Sequence, residues 1–237
     1  MERGRLQHME KPPKKTTRRE IVEATVEGAA GVVPFAGGPL AVAFAVAMGW
    51  TYNKRMTQWL DDLAEAVSQL QEQRENGSSF DELADDPVFV DAVVHATRAA
   101  QATHQTEKLE ALRNAVLNST LTGAPDIDEQ SRFFRLVEEF TPAHIIILRV
   151  FADPGRWFDD HGLTRGNYMM GSRTQVLEDG VPEFRGQADW YNLLVGDLNR
   201  ANLMLASLSG VVTGGGMFQP LLSPLGQRFL RFISDPR

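Results

Sequence analysis

The apolar positions of this chain recur mostly at helical spacing. Met56, Leu60, Leu63, Val67 and Leu70 follow one another at intervals of four and three. That is one buried stripe on a long amphipathic helix over residues 40–75. Asn76-Gly77-Ser78 stops it, and Ser79 with Glu82 has the spacing of a capping box for a short turn. Pro87 suits the first position of a helix over 87–102, whose core face is Phe89, Val90, Val93 and Val94. After a break at 103–105, residues 106–119 turn Leu109, Leu112 and Val116 inward. Residues 129–140 do the same with Phe133, Leu136, Val137 and Phe140. Thr141-Pro142 reads as an N-cap followed by proline in the first turn of a helix reaching about residue 152, which Asp153-Pro154-Gly155 ends.

Beyond that point the pattern loosens. Residues 155–186 carry six glycines and read as a connector with room for one short helix. Residues 188–205 regain helical spacing through Trp190, Leu194, Leu198 and Leu203. Val211-Val212-Thr213 and residues 217–222 flank Gly214-Gly215-Gly216, which predicts a β-hairpin. Ser223-Pro224 then opens a final helix with Phe229, Leu230, Phe232 and Ile233 inward. Helix, ribbon and closing helix predict a winged-helix-like module.

The N-terminal quarter differs again. Residues 21–33 look helical before Pro34, Gly37-Gly38 and Pro39 interrupt. From Gly28 to Asn53 there are 26 residues without a charge, long enough for a bilayer span. Seven alanines, five glycines and two prolines between 28 and 50 instead favour a re-entrant or amphitropic hairpin. Val32, Val33, Phe35, Leu40, Val42, Phe44, Val46 and Trp50 are its candidate membrane contacts. The same hairpin buried in the protein's own bundle is the competing reading. A signal peptide is disfavoured by Glu20, Glu23 and Glu27 ahead of the apolar run.

Charge sharpens the membrane reading. Residues 1–19 carry seven basic and two acidic side chains, residues 20–186 carry 13 and 26, and residues 187–237 four and three. The first stretch is expected to be a disordered arm. Its Lys11, Lys14, Lys15, Arg18 and Arg19 are candidate lipid-headgroup contacts, each worth about 1 kcal/mol near an anionic surface. The net charge of −7 disfavours coating of nucleic acid. A DNA-binding reading of the tail would rest on Asn199, Arg200, Asn202, Arg228 and Arg231, in a stretch with little phosphate attraction.

Catalytic chemistry has no visible carrier. The chain has no cysteine, which removes disulfides, thiolate metal sites and cysteine nucleophiles and suits a reducing compartment. His8, His95, His104, His144 and His161 lack metalloprotease spacing, and no metal ligand set is expected. His144 stands in the first turn of its helix, where capping or packing is its expected role. Asp61-Asp62, Asp85-Asp86, Glu138-Glu139 and Asp159-Asp160 read as solvated faces. The three glycines at 214–216 make no phosphate cradle, and no nucleophile elbow is present. Neither an enzyme nor a cofactor is expected.

Particular segments carry a resemblance. Residues 27–39 (EGAAGVVPFAGGP), 59–66 (WLDDLAEA), 107–115 (EKLEALRNA), 140–144 (FTPAH) and 223–233 (SPLGQRFLRFI) resemble segments of the Abi-alpha, or abortive-infection alpha, domain group of bacterial proteins. The resemblance covers about residues 20–235 and implies a role in defence against phage. It carries no catalytic residue with it.

The expected molecule is mainly α. A disordered basic arm (1–19) precedes a Gly/Ala/Pro-rich apolar helical hairpin (20–53). A long helix and small helical bundle (54–153), a connector (154–186) and a winged-helix-like module with a short β-hairpin (187–237) follow. The leading functional expectation is a cytoplasmic effector or sensor peripheral to the inner membrane. It would touch an anionic membrane surface through residues 28–50 and a protein partner or second copy through the tail. A winged-helix DNA-binding regulator and a soluble protein-interaction scaffold are the alternatives.

Overall fold

A computed structural model describes residues 39–72 and 80–236, with side chains from residue 48 in the first helix and from residue 82 after the break. The expected helix over 21–33, the stop at 76–78 and Ser79 lie outside the described residues. Contacts divide the chain after Trp50, and the residues that follow form one compact unit. Of residues 1–50, the helical run 39–50 is described.

The chain is mainly helical, with eleven α-helices and one two-stranded antiparallel sheet among the described residues. Helix α1 spans Pro39–Glu72. From Met56 onward one side of it is covered: Leu63 and Val67 are buried as the stripe predicts, and Trp59 and Ala66, outside the stripe, are buried beside them. Leu60, part of the expected stripe, is exposed. Trp59 Nε1 donates to Thr97 Oγ1 (3.1 Å) and Arg55 Nη2 donates to the carbonyl of Gln101 (2.7 Å). These bonds hold α1 against α3 (Pro87–Gln101), which follows the short α2 (Phe80–Ala84). Phe89 on α3 is buried as expected, whereas Val90 and Val94 face outward and Ala92, Ala96, Ala99 and Ala100 make the inner face. Small side chains there let neighbouring helices approach closely.

Helices α4 (Thr106–Ser119), α5 (Ile127–Glu139) and α6 (Pro142–Ala152) complete the central bundle. Asp126 caps α5 by accepting from the Glu129 amide at 2.9 Å, so the helix begins two residues before the expected Glu129. Thr141 caps α6, with Pro142 in its first turn.

Asp153 ends α6 and also caps α7 (Pro154–Asp160), accepting from the Arg156 amide at 2.9 Å. Residues 154–186, expected as a connector, therefore hold α7, strand β1 (Met170–Ser172), α8 (Arg173–Gly180) and a 3-10 turn (Pro182–Phe184). Phe158, Val176, Leu177 and Phe184 from this stretch are buried in the core.

Helix α9 (Ala188–Arg200) stops short of the expected residue 205. Asn202 takes a left-handed conformation, φ 58°, which asparagine tolerates better than most residues. The expected hairpin across Gly214–Gly216 does not form. Strand β2 (Val211–Thr213) pairs instead with β1, Met170 opposite Thr213 and Ser172 opposite Val211. The glycines open a helical turn, α10 (Gly214–Met217), capped by Thr213 Oγ1. The physical reason lies in packing. A Cβ at Gly214 would overlap the carbonyl oxygen of Tyr168, and the Gly214 amide donates to the carbonyl of Met169 (3.0 Å). Glycine is there for close approach, not for a two-residue turn.

Helix α11 (Pro224–Phe232) closes the core. Phe229 packs edge-on against Phe133 (5.3 Å between ring centroids) and Phe140 (6.1 Å). Phe232 meets Phe133 and Phe134, each at 5.5 Å. Asn114 Nδ2 donates to the carbonyl of Ile233 at 3.2 Å, and Asn118 Nδ2 to those of Phe232 (2.9 Å) and Ser234 (2.8 Å). Side chains of α4 thus satisfy carbonyls that the end of α11 leaves without helical partners. One hydrophobic cluster runs from Trp59 to Ile233.

Candidate functional site

Two surfaces stand apart from this packing. The first is the early part of α1. All eight residues from Met48 to Arg55 are exposed, among them Met48 (53%), Trp50 (57%) and Tyr52 (42%). On a helix Met48 and Tyr52 share a face and Trp50 projects about opposite them, so apolar groups are presented around the axis rather than on one stripe. Among the described residues no helix is long and apolar enough to cross a membrane. Of the candidate membrane contacts, Trp50 is described and exposed. Leu40, Val42, Phe44 and Val46 lie on the helix, but their side chains fall outside the described residues. Val32, Val33 and Phe35 fall outside them too, as do Lys11, Lys14, Lys15, Arg18 and Arg19.

The tail's candidate contact residues are engaged locally. Arg200 pairs with Asp197 one turn earlier on α9. Arg228 Nη2 pairs with Glu129 Oε1 of α5 at 2.7 Å. Asn199 is half-buried, Arg231 is exposed, and the carbonyl of Asn202 accepts from Ser223 Oγ at 2.6 Å.

The histidines occupy separate environments. His144 is buried. Its Nδ1 accepts from the Thr141 amide (3.1 Å), which completes the cap of α6, and its ring stacks on Phe140 at 4.7 Å. With Nδ1 accepting, Nε2 carries the proton and faces Asp197 Oδ2 at 3.4 Å. Burial holds its pKa down to about 4; Glu139 opposes the shift and Lys108 adds to it. Half-buried His95 stacks on Phe134 at 5.8 Å, while His104 is exposed in the break after α3. No group of three metal-ligating side chains occurs among the described residues.

The second surface is an open cleft of about 660 Å³ that the sequence reading did not find. Ala143 and Ile146 of α6 line it, as does Leu163. Trp157 and His161 of α7, Phe184 of the 3-10 turn and Trp190 of α9 form the walls. Four separate elements therefore meet there. Trp157 Nε1 donates to the carbonyl of Gly180 (2.9 Å), fixing the indole. A Cβ at Gly180 would stand 3.0 Å from the Phe158 ring and 3.3 Å from Trp157 Nε1, so glycine makes the seat of the indole. His161 stacks on Trp157 at 3.9 Å, and its Nδ1 donates to the Trp157 carbonyl at 2.8 Å.

Gly186, at φ 73°, turns the chain into α9 and so brings Trp190 to the rim. Behind the cleft Tyr191 is buried and its hydroxyl donates to Glu178 Oε1 (3.1 Å). Burial raises its pKa, and the bond to Glu178 adds to this. Tyr168 donates to Asp179, and that bond pushes its pKa up to about 12. Helical spacing accounted for Trp190 only as a core position of α9. The four-residue step from Trp157 to His161, just after Pro154, was the available signal for the opposite wall. No family model, curated protein or solved structure matches the chain.

Proposed function

We propose that this protein is a non-catalytic protein of membrane surfaces that docks through residues 28–52, with the basic arm of residues 1–19 attracted to anionic headgroups. The observation that supports the reading most is the unbroken exposure of Met48 to Arg55, with Met48, Trp50 and Tyr52 in it. A helix start that displays apolar and aromatic groups around its circumference gains free energy by entering an apolar interface. Tryptophan and tyrosine favour the headgroup level. The adjoining 26 uncharged residues supply further apolar surface. Residues 187–237 keep a winged-helix-like outline in this proposal, with helix, strand and closing helix in order and the strand paired to residues 170–172. The resemblance to the Abi-alpha group extends the proposal to a bacterial defence effector or sensor at the inner membrane.

Vesicle flotation tests it. The full chain should float with phosphatidylglycerol-containing vesicles, and part of that binding should survive high salt. Phe44→Asp combined with Trp50→Asp should abolish the salt-resistant part. A wild-type chain that stays at the bottom of the gradient would refute the proposal, as would a double variant that floats unchanged.

A further inference from the structure

We propose that the cleft walled by Trp157, Phe184 and Trp190 binds a small organic cation, an ammonium head carried on an apolar body. Its volume of about 660 Å³ falls in the range of small-molecule sites, about 300–1,000 Å³. Its walls are aromatic, and an indole face attracts a cation through the ring quadrupole. The polar side chains lining it are those of His161, Glu183 and Gln187, and no lysine or arginine is among the described residues of the lining.

The charges around the cleft decide the sign of the ligand. Asp159, Asp160 and Asp179 are each matched by an arginine: Arg165, Arg156 and Arg185 respectively. Glu183 in the lining, and Asp189 beside Trp190, have no ion pair with any described residue. The Gln187 amide donates to the backbone carbonyl of Glu183 at 2.6 Å, leaving the Glu183 carboxylate available to a ligand. His161 uses Nδ1 on the Trp157 carbonyl, so Nε2 is its remaining polar atom. An anion would meet the Glu183 carboxylate, and the arginines nearby are already paired with aspartates. A neutral aromatic compound would gain from the rings but leave Glu183 unused. An ammonium group uses both the rings and the carboxylate.

Benzyltrimethylammonium is a suitable probe, with benzyl alcohol and benzenesulfonate as neutral and anionic counterparts. Isothermal titration and ligand-observed NMR on the full chain without lipid keep this result separate from the flotation experiment. The cation should bind saturably, benzyl alcohol at least tenfold more weakly, and benzenesulfonate not detectably. Glu183→Gln should weaken the cation about fivefold, and Trp190→Ala more than tenfold. Both positions are exposed, and an unchanged unfolding midpoint would verify that the fold persists. Equal affinity for the cation and benzyl alcohol would overturn the proposal, as would absence of saturation or an unaltered Glu183→Gln titration.

Discussion

Phe133, Phe140 and Phe229 are fully buried, and Phe229 meets the other two edge-on at the junction of α5 and α11. Trp157, His161 and Trp190 line an open cleft, each with part of its surface in contact with solvent. The two groups are built from the same kind of side chain and do opposite things. Phenylalanine has no polar atom, so a dry interior leaves nothing of it unsatisfied. Tryptophan and histidine carry a polar handle, and at the cleft those handles reach backbone carbonyls: Trp157 to Gly180 and His161 to Trp157. Rings in the first group hold helices together. In the second group backbone carbonyls hold Trp157 and His161, which stack on each other, while Trp190 stays exposed at the rim.

The sharpest way to break this contrast is to empty the first group. Phe229→Ala should destabilise the fold by about 4 kcal/mol, through lost burial and an unfilled cavity, read as a large drop in the urea midpoint. Next comes Gly226→Ala, where a Cβ would overlap the carbonyl oxygen of Leu203. Backbone must move there, so a loss of about 2 kcal/mol is expected in the same assay. At the cleft, Trp157→Phe keeps a ring but leaves the Gly180 carbonyl without its donor, which should cost about 1.5 kcal/mol.

Acid should act through His144. Its folded-state pKa of about 4 lies below the ordinary 6.5. The unfolded chain therefore takes up this proton first as pH falls. The stability it contributes is complete above pH 6.5 and is lost progressively towards pH 4. A shift of that size corresponds to a change of up to about 3 kcal/mol. His144→Gln should flatten that portion of the pH–stability curve without removing the cap geometry. The smallest effect is expected from Trp190→Ala, a residue that is 42% exposed. Stability should change by less than about 0.5 kcal/mol, which is what separates a cleft wall from a core ring.

Local rules made the bundle readable. Residues 106–119 and 142–152 form helices with the predicted bounds, the first from apolar periodicity alone and the second because periodicity, N-cap and proline agree. The long helix begins within one residue of expectation, and its expected last residues, 73–75, lie outside the described residues. The β-pairing was hidden because its partner strand, Met170–Ser172, lies far off in a glycine-rich stretch with no alternation to mark it. Three consecutive glycines invite a turn reading, and only the carbonyl of Tyr168 in three dimensions shows why Gly214 must be small. The cleft was hidden for the same reason. Its walls come from α6, α7, the 3-10 turn and α9, and no window of sequence contains them together. His144, by contrast, was readable as a capping residue from its place after Thr141-Pro142.

The bonds from Asn114 and Asn118 to the end of α11 have a consequence during synthesis. They join residues more than a hundred positions apart, 119 in the case of Asn114 and Ile233. At about 5–20 residues per second, a ribosome adds that length in on the order of ten seconds. For most of this interval α4 and α5 are already made, while the side chains destined to cover Phe133 and Phe134 are not. The nascent chain must carry an open aromatic face for that long, so its exposure to chaperones and to wrong partners is set by translation rate as well as by the stability of the finished fold.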